Sequence, residues 1–141
     1  MEANPRTDLL KSLTRQRILV LDGAMGTAIQ ELDPSPDDFG GVEYEGCNEH
    51  LNLTRPELIE RIHQRYLDAG ADILETNTFG ATSVVLAEYG LEAEARRINQ
   101  DAARLARYLA DAASTPEKPR FVAGSMAVSY THLTLPTILL V

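Results

Sequence analysis

The sequence predicts an α/β fold built on parallel strands, and three observations carry that reading. Helix-like and strand-like segments alternate along the chain, the order that parallel strands with right-handed crossovers produce. The first strand candidate, Ile18-Leu19-Val20-Leu21, is a continuous apolar run without the alternation of a one-sided sheet, which predicts burial on both faces. Three strands each end in small or polar residues: Asp22-Gly23-Ala24-Met25-Gly26-Thr27, Glu75-Thr76-Asn77-Thr78-Phe79 and Gly124-Ser125. Periodicity by itself leaves a doubly wound sheet and a (β/α)8 barrel both open.

The elements follow in order. Asp8 to Arg17 reads as a short amphipathic helix, with Leu9, Leu10 and Leu13 on one side and cations late, where the helix dipole is negative. The strand 18–21 leads directly into Gly23 and Gly26, glycines that let the backbone turn sharply and approach a ligand closely. Residues 33–50, rich in Asp, Pro, Gly and Glu, read as a long loop of a length that is often functional.

Thr54-Arg55-Pro56-Glu57 has the pattern of a helix start, with Thr54 as cap, Glu57 closing a capping box and Pro56 in the first turn. Leu58, Ile59, Ile62, Tyr66 and Leu67 then form an apolar stripe, and Gly70 is the expected stop. Residues 71–78 predict the second strand. A helix over 82–89 is expected to break at Gly90. A long helix follows over 92–113, with Ile98, Ala102, Leu105, Leu109 and Ala112 as its buried stripe, and residues 120–124 predict the third strand.

Composition excludes several functions. A net charge of −8 over 141 residues argues against nucleic-acid and anionic-membrane partners, both of which reward a basic face. A single cysteine, Cys47, rules out an internal disulfide framework. With no signal-like N-terminus and no run of about 18 apolar residues, a cytoplasmic location is expected. Gly23 and Gly26 match a phosphate-binding turn only weakly, without dinucleotide spacing or a Walker lysine, so a nucleotide site is not expected.

In parallel α/β folds, the C-terminal strand ends share one face, and ligands bind there. Asp22, Glu75 and Asn77 are therefore candidates to converge on one pocket, where carboxylates would take a ligand ammonium and glycine N–H groups a ligand carboxylate. An amino acid fits that pattern. The plain alternative is that Asp22 caps the next helix while Glu75 and Asn77 satisfy neighbouring backbone. His50, His63 and His132 show no ligand spacing, and a partly buried structural role is expected for His63. Cys47 has no recognisable base partner.

Residues 18–27 resemble the opening strand and turn of the homocysteine methyltransferase family. Residues 66–80, from Tyr66 to Gly80, are similar to its second strand, and Phe121-Val122-Ala123-Gly124-Ser125-Met126 to its third. Residues 46–56, from Gly46 to Pro56, resemble its cobalamin-dependent branch. The resemblance implies about the first three βα units of a (β/α)8 TIM barrel and a role in methyl transfer to homocysteine, giving methionine. It also implies a substrate site at Asp22, Gly23, Ala24, Met25, Glu75, Asn77 and Thr78.

Zinc on three cysteine thiolates and cobalamin, recharged from methyltetrahydrofolate on folate modules, are implied for the full-length parent. Neither cofactor is expected on this chain, which has one cysteine and is expected to be inactive alone. The alternatives are a cobalamin-independent branch (an S-methylmethionine donor or a fused folate reductase) and a non-catalytic half-barrel binding module. Where the family continues Gly-Pro-Thr, this chain has Ala127-Val128-Ser129. Residues 127–141 are expected to be a non-native tail, because 128–137 resemble translated library-adaptor DNA, which leaves 1–126 as the barrel segment.

Overall fold

A computed structural model of the chain describes residues 5–127, so the reading of the tail over 128–141 lies outside the described residues. Six α-helices and two strands make up the regular structure there. They are α1 (Pro5–Thr14), α2 (Met25–Leu32), α3 (Leu51–Thr54), α4 (Pro56–Asp68), β1 (Ile73–Glu75), α5 (Ser83–Leu86), α6 (Ala95–Ala112) and β2 (Phe121–Ala123). Short 3-10 turns join several of them.

β1 and β2 pair in parallel, with Ile73 opposite Phe121, Leu74 opposite Val122 and Glu75 opposite Ala123. Leu21 forms a single parallel bridge to Ile73, and the Val20 carbonyl accepts from the N–H groups of Asp72 and Ile73. Three extended segments thus lie side by side in chain order, as the opening strands of a (β/α)8 barrel do. The first is not the doubly buried strand expected: Ile18 is 88% exposed, Val20 54% and Leu21 49%. Only its β1-facing edge has a partner among the described residues, and one edge cannot bury both faces.

α4 and α6 pack on each other and against the strands. Ile59, Ile62 and Leu67 on α4 and Ile98, Ala102, Ala106, Leu109 and Ala110 on α6 are buried. Leu105 is half-buried and Ala112 exposed, so the inner face of α6 turns toward Ala106 and Ala110, whose small side chains allow close approach. Further along, Cys47 from the 33–50 segment packs with Ala81, Leu86, Leu91 and Ile98.

Several local expectations change. α1 fully buries no residue: Leu10 and Leu13 of its stripe are half-buried and Leu9 is exposed. Thr54 does not cap α4: it ends α3, donating its hydroxyl to the His50 carbonyl, while Glu57 pairs with Arg55 instead of closing a box. The helix start itself holds, with Pro56 in the first turn. Gly70 has φ 101°, a left-handed turn that suits glycine. Residues 82–89 form α5, capped by the Thr82 hydroxyl, followed by a 3-10 turn that stops at Gly90 with φ 68°.

Candidate functional site

At the C-terminal strand ends lies a cleft of about 350 Å³. Its floor comes from Asp22, Gly23, Ala24, Met25 and Gly26, and a second wall from Glu75, Thr76, Asn77 and Phe79. Asn48, Glu49 and Ser125 close the remaining sides. Of the seven residues singled out in the sequence, six line this cleft, although about fifty residues separate the two groups. The seventh, Thr78, does not.

Each side chain is held by a specific partner. Asp22 accepts the Glu75 N–H on Oδ1 at 2.7 Å, and its Oδ2 stands 3.5 Å from His63 Nδ1 on α4. Asp22 therefore does not cap α2, whose start has no side-chain cap at all. The turn into α2 is made by Ala24, with φ 50°, and not by either neighbouring glycine. A left-handed alanine is a strained choice, costing on the order of 1 kcal/mol. That strain sits on the cleft floor, where it aims an uncapped helix start, with first-turn N–H groups lacking intrahelical acceptors, toward the space beside two carboxylates. A Cβ added at Gly23 would meet no protein atom within 4 Å, so the packing of the chain does not require glycine there.

Asn77 lines the cleft, yet its amide is already committed. Its Nδ2 donates to the Asn48 carbonyl at 2.8 Å, while Asn52 Nδ2 donates to the Asn77 carbonyl at 2.7 Å and to the Glu49 carbonyl at 2.8 Å. This reciprocal pair fastens residues 48–52 to the end of β1. Glu49 adds a further tie, accepting the Gly80 N–H at 2.7 Å. A Cβ on Gly80 would come within 2.9 Å of that Glu49 carboxylate, so a side chain there would push the carboxylate aside and loosen this tie.

Thr78 belongs to a second clasp. The Ser125 N–H donates to Thr76 Oγ1 at 3.1 Å, and Thr78 Oγ1 donates to the Ser125 carbonyl at 2.9 Å. Each hydroxyl has one proton, and Thr78 has used its own. The 2.7 Å contact between the two hydroxyls must then run from Thr76 to Thr78. Thr78 thus locks β1 to the end of β2, and the residue facing the cleft is its neighbour Thr76.

The sequence reading missed Asn48, Glu49, Thr76, Phe79 and Ser125 as lining residues. Thr76, Phe79 and Ser125 stand within the quoted strand-end motifs. Asn48 and Glu49 carry no such signal and reach the cleft only because the asparagine pair draws their loop in.

The residues present do not fit a three-thiolate zinc site. Cys47 is the one cysteine, it packs among aliphatic side chains, and burial pushes its thiol up from the ordinary value. Among the described residues no cluster of three potential metal ligands occurs. No helix there is long and apolar enough to cross a membrane.

Comparison with known proteins agrees with this architecture. Over 120 residues the chain is 49% identical to the methionine synthase of Mycobacterium leprae and 48% identical to that of Mycobacterium tuberculosis, covering 85% of this chain each time. It spans about 10% of the length of those relatives. The homocysteine methyltransferase MmuM of Escherichia coli superimposes with a TM-score of 0.67 at 28% identity in a metallated form and 0.68 at 30% identity in an oxidized form. The match covers 89% of this chain and 43% and 42% of those chains, so the chain corresponds to less than half of each. The family model for homocysteine S-methyltransferase matches residues 19–136, and the chain belongs to that family.

Proposed function

We propose that this chain is the substrate-holding first part of an eight-stranded barrel that methylates the sulfur of homocysteine to give methionine. One observation carries the reading: the cleft sets the carboxylates of Asp22, Glu75 and Glu49 beside the uncapped start of α2. An α-amino acid has one ammonium and one carboxylate on adjacent atoms, and this arrangement supplies a partner for each. Phe79, exposed on the cleft wall, offers an apolar surface for the methylene arm that carries the sulfur.

The chain's own residues bind and orient the amino acid end; Gly23 leaves room for it. They provide no group that would draw the proton from the thiol, and a zinc ion held by later parts of the full-length protein would lower that thiol pKa. The reading extends to the cobalamin-dependent branch, which residues 46–56 resemble, with methyltetrahydrofolate as ultimate donor and cobalamin and folate modules elsewhere in the same protein. A cytosolic location and no nucleic-acid partner complete the reading.

The experiment is an assay of the full-length protein that carries this segment. Methionine should form from homocysteine with methyltetrahydrofolate and cobalamin. Turnover with S-methylmethionine alone would overturn the branch assignment, and failure to bind homocysteine would overturn the reading altogether. The proposed end of the native segment at residue 126 is tested by reading the source DNA across codons 115–141.

A further inference from the structure

His63 lies on α4, its side chain 1% exposed, behind the Asp22 carboxylate, which is itself 2% exposed. Its Nδ1 is 3.5 Å from Asp22 Oδ2, close enough for an ion pair, yet neither ring nitrogen makes a hydrogen bond. A buried polar atom left without a partner is destabilising, because it has given up its hydrogen bonds to water and gained none. The same helix face carries Ile59, Ile62 and Leu67, so an apolar residue at position 63 would suit the packing without that cost. Several other polar side chains around the cleft have partners: Asn52 and Asn77 hold each other's loops, and Thr76 and Thr78 form the strand clasp.

We infer that His63 is the positioning residue for the substrate amino group. Asp22 is anchored at one oxygen only, by the Glu75 N–H on Oδ1, so its carboxylate plane is free to turn about that anchor. Oδ2 faces the imidazole. When a ligand ammonium enters the cleft, His63 Nδ1–H closes the 3.5 Å gap to Oδ2, fixes the carboxylate plane and gives one of the two unpartnered ring nitrogens a partner. That new hydrogen bond offsets part of the cost of the buried imidazole, so His63 acts through Asp22 and does not touch the substrate. The inference rests on the amino-acid reading of the cleft given above.

The test uses the full-length protein, homocysteine, and 4-mercaptobutanoate, the same thiol without its amino group. The wild type should prefer homocysteine. His63→Leu should raise the homocysteine KM about tenfold with kcat within about twofold, and should shrink the preference for the amino group about tenfold, the scale of one hydrogen bond to a charged group. His63→Asn places an amide donor where Nδ1 stands and should restore both to within about threefold. His63→Gln sets its amide too far along the side chain and should behave like leucine. If leucine at this position prevents folding, the Asn and Gln variants decide by themselves. Equal amino-group preference in Asn, Gln and wild type would overturn the inference while leaving the amino-acid site intact. A wild type indifferent to the amino group would overturn the site reading itself.

Discussion

Asp22 and Asp72 stand at opposite ends of the same strand pairing, equally buried, and their surroundings differ in kind. Asp72, at the N-terminal end of β1, is 2% exposed and receives a two-pronged hydrogen bond from Arg17 at 2.7 and 2.9 Å, plus the Val20 N–H at 3.0 Å. The Arg17 hydrogen bonds, chief among its interactions, hold its carboxyl down at about 2. Asp22, at the cleft, has one backbone donor and a histidine that stops short of contact. One end of the sheet satisfies its buried charge from within; the other leaves capacity for a ligand. On the proposed reading, stability and binding are separated along the strands, as in barrels whose lower face holds the fold and whose upper face carries the ligand site.

The largest effect should come from breaking the satisfied end. Asp72→Asn should destabilise the protein by roughly 2–4 kcal/mol, because it leaves Arg17 facing a neutral partner in a half-buried site. Urea denaturation reads this, and homocysteine affinity should stay unchanged. The same pair sets an acid limit. Its folded pKa lies below the unfolded value, so its contribution is complete above about pH 4 and is lost as pH falls toward 2. Wild type should lose roughly 2 kcal/mol across that window, and Asp72→Asn should lose correspondingly less.

At the unsatisfied end, Asp22→Asn should raise the homocysteine KM by about 10- to 100-fold while moving the urea midpoint little, since an amide oxygen still accepts the Glu75 N–H. A large stability loss with no KM change would reverse the roles assigned to the two aspartates. Thr78→Val tests the clasp next to the cleft. It should cost roughly 1–2 kcal/mol through the abandoned Ser125 carbonyl, with KM unmoved; a KM change alone would return Thr78 to the substrate site. Ala24→Gly should do least: relief of the left-handed strain and the added freedom of glycine in the unfolded chain nearly cancel, leaving less than about 1 kcal/mol.

Much of the site was legible because strand-end chemistry is local. Asp22-Gly23-Ala24-Met25 and Glu75-Thr76-Asn77 each stand where an apolar run turns polar, and parallel topology places such ends together. The details were not legible. The left-handed turn falls on Ala24 although glycines flank it, since αL geometry depends on how the chain enters α2 and not on the most permissive residue nearby. Thr54 carries a capping signal, but α3 ends there and claims its hydroxyl. Ile18 and Val20 read as buried, yet an apolar run states only what a strand can tolerate on its faces, and here only one edge has a partner.

What the sequence by itself determined was the long helices α4 and α6, the strands β1 and β2 with their parallel pairing, the cleft's two main walls and the family, because each rests on contiguous residues whose spacing or motif is intrinsic to the chain. Only the tertiary structure decided which polar groups are spent and which are free. Asn77, Thr78 and Asp22 look alike as strand-end polar residues. The first two are consumed by Asn48, Asn52 and Ser125, and the third keeps an oxygen turned toward a silent histidine. Hydrogen-bond accounts close between residues tens of positions apart, and no local pattern records them.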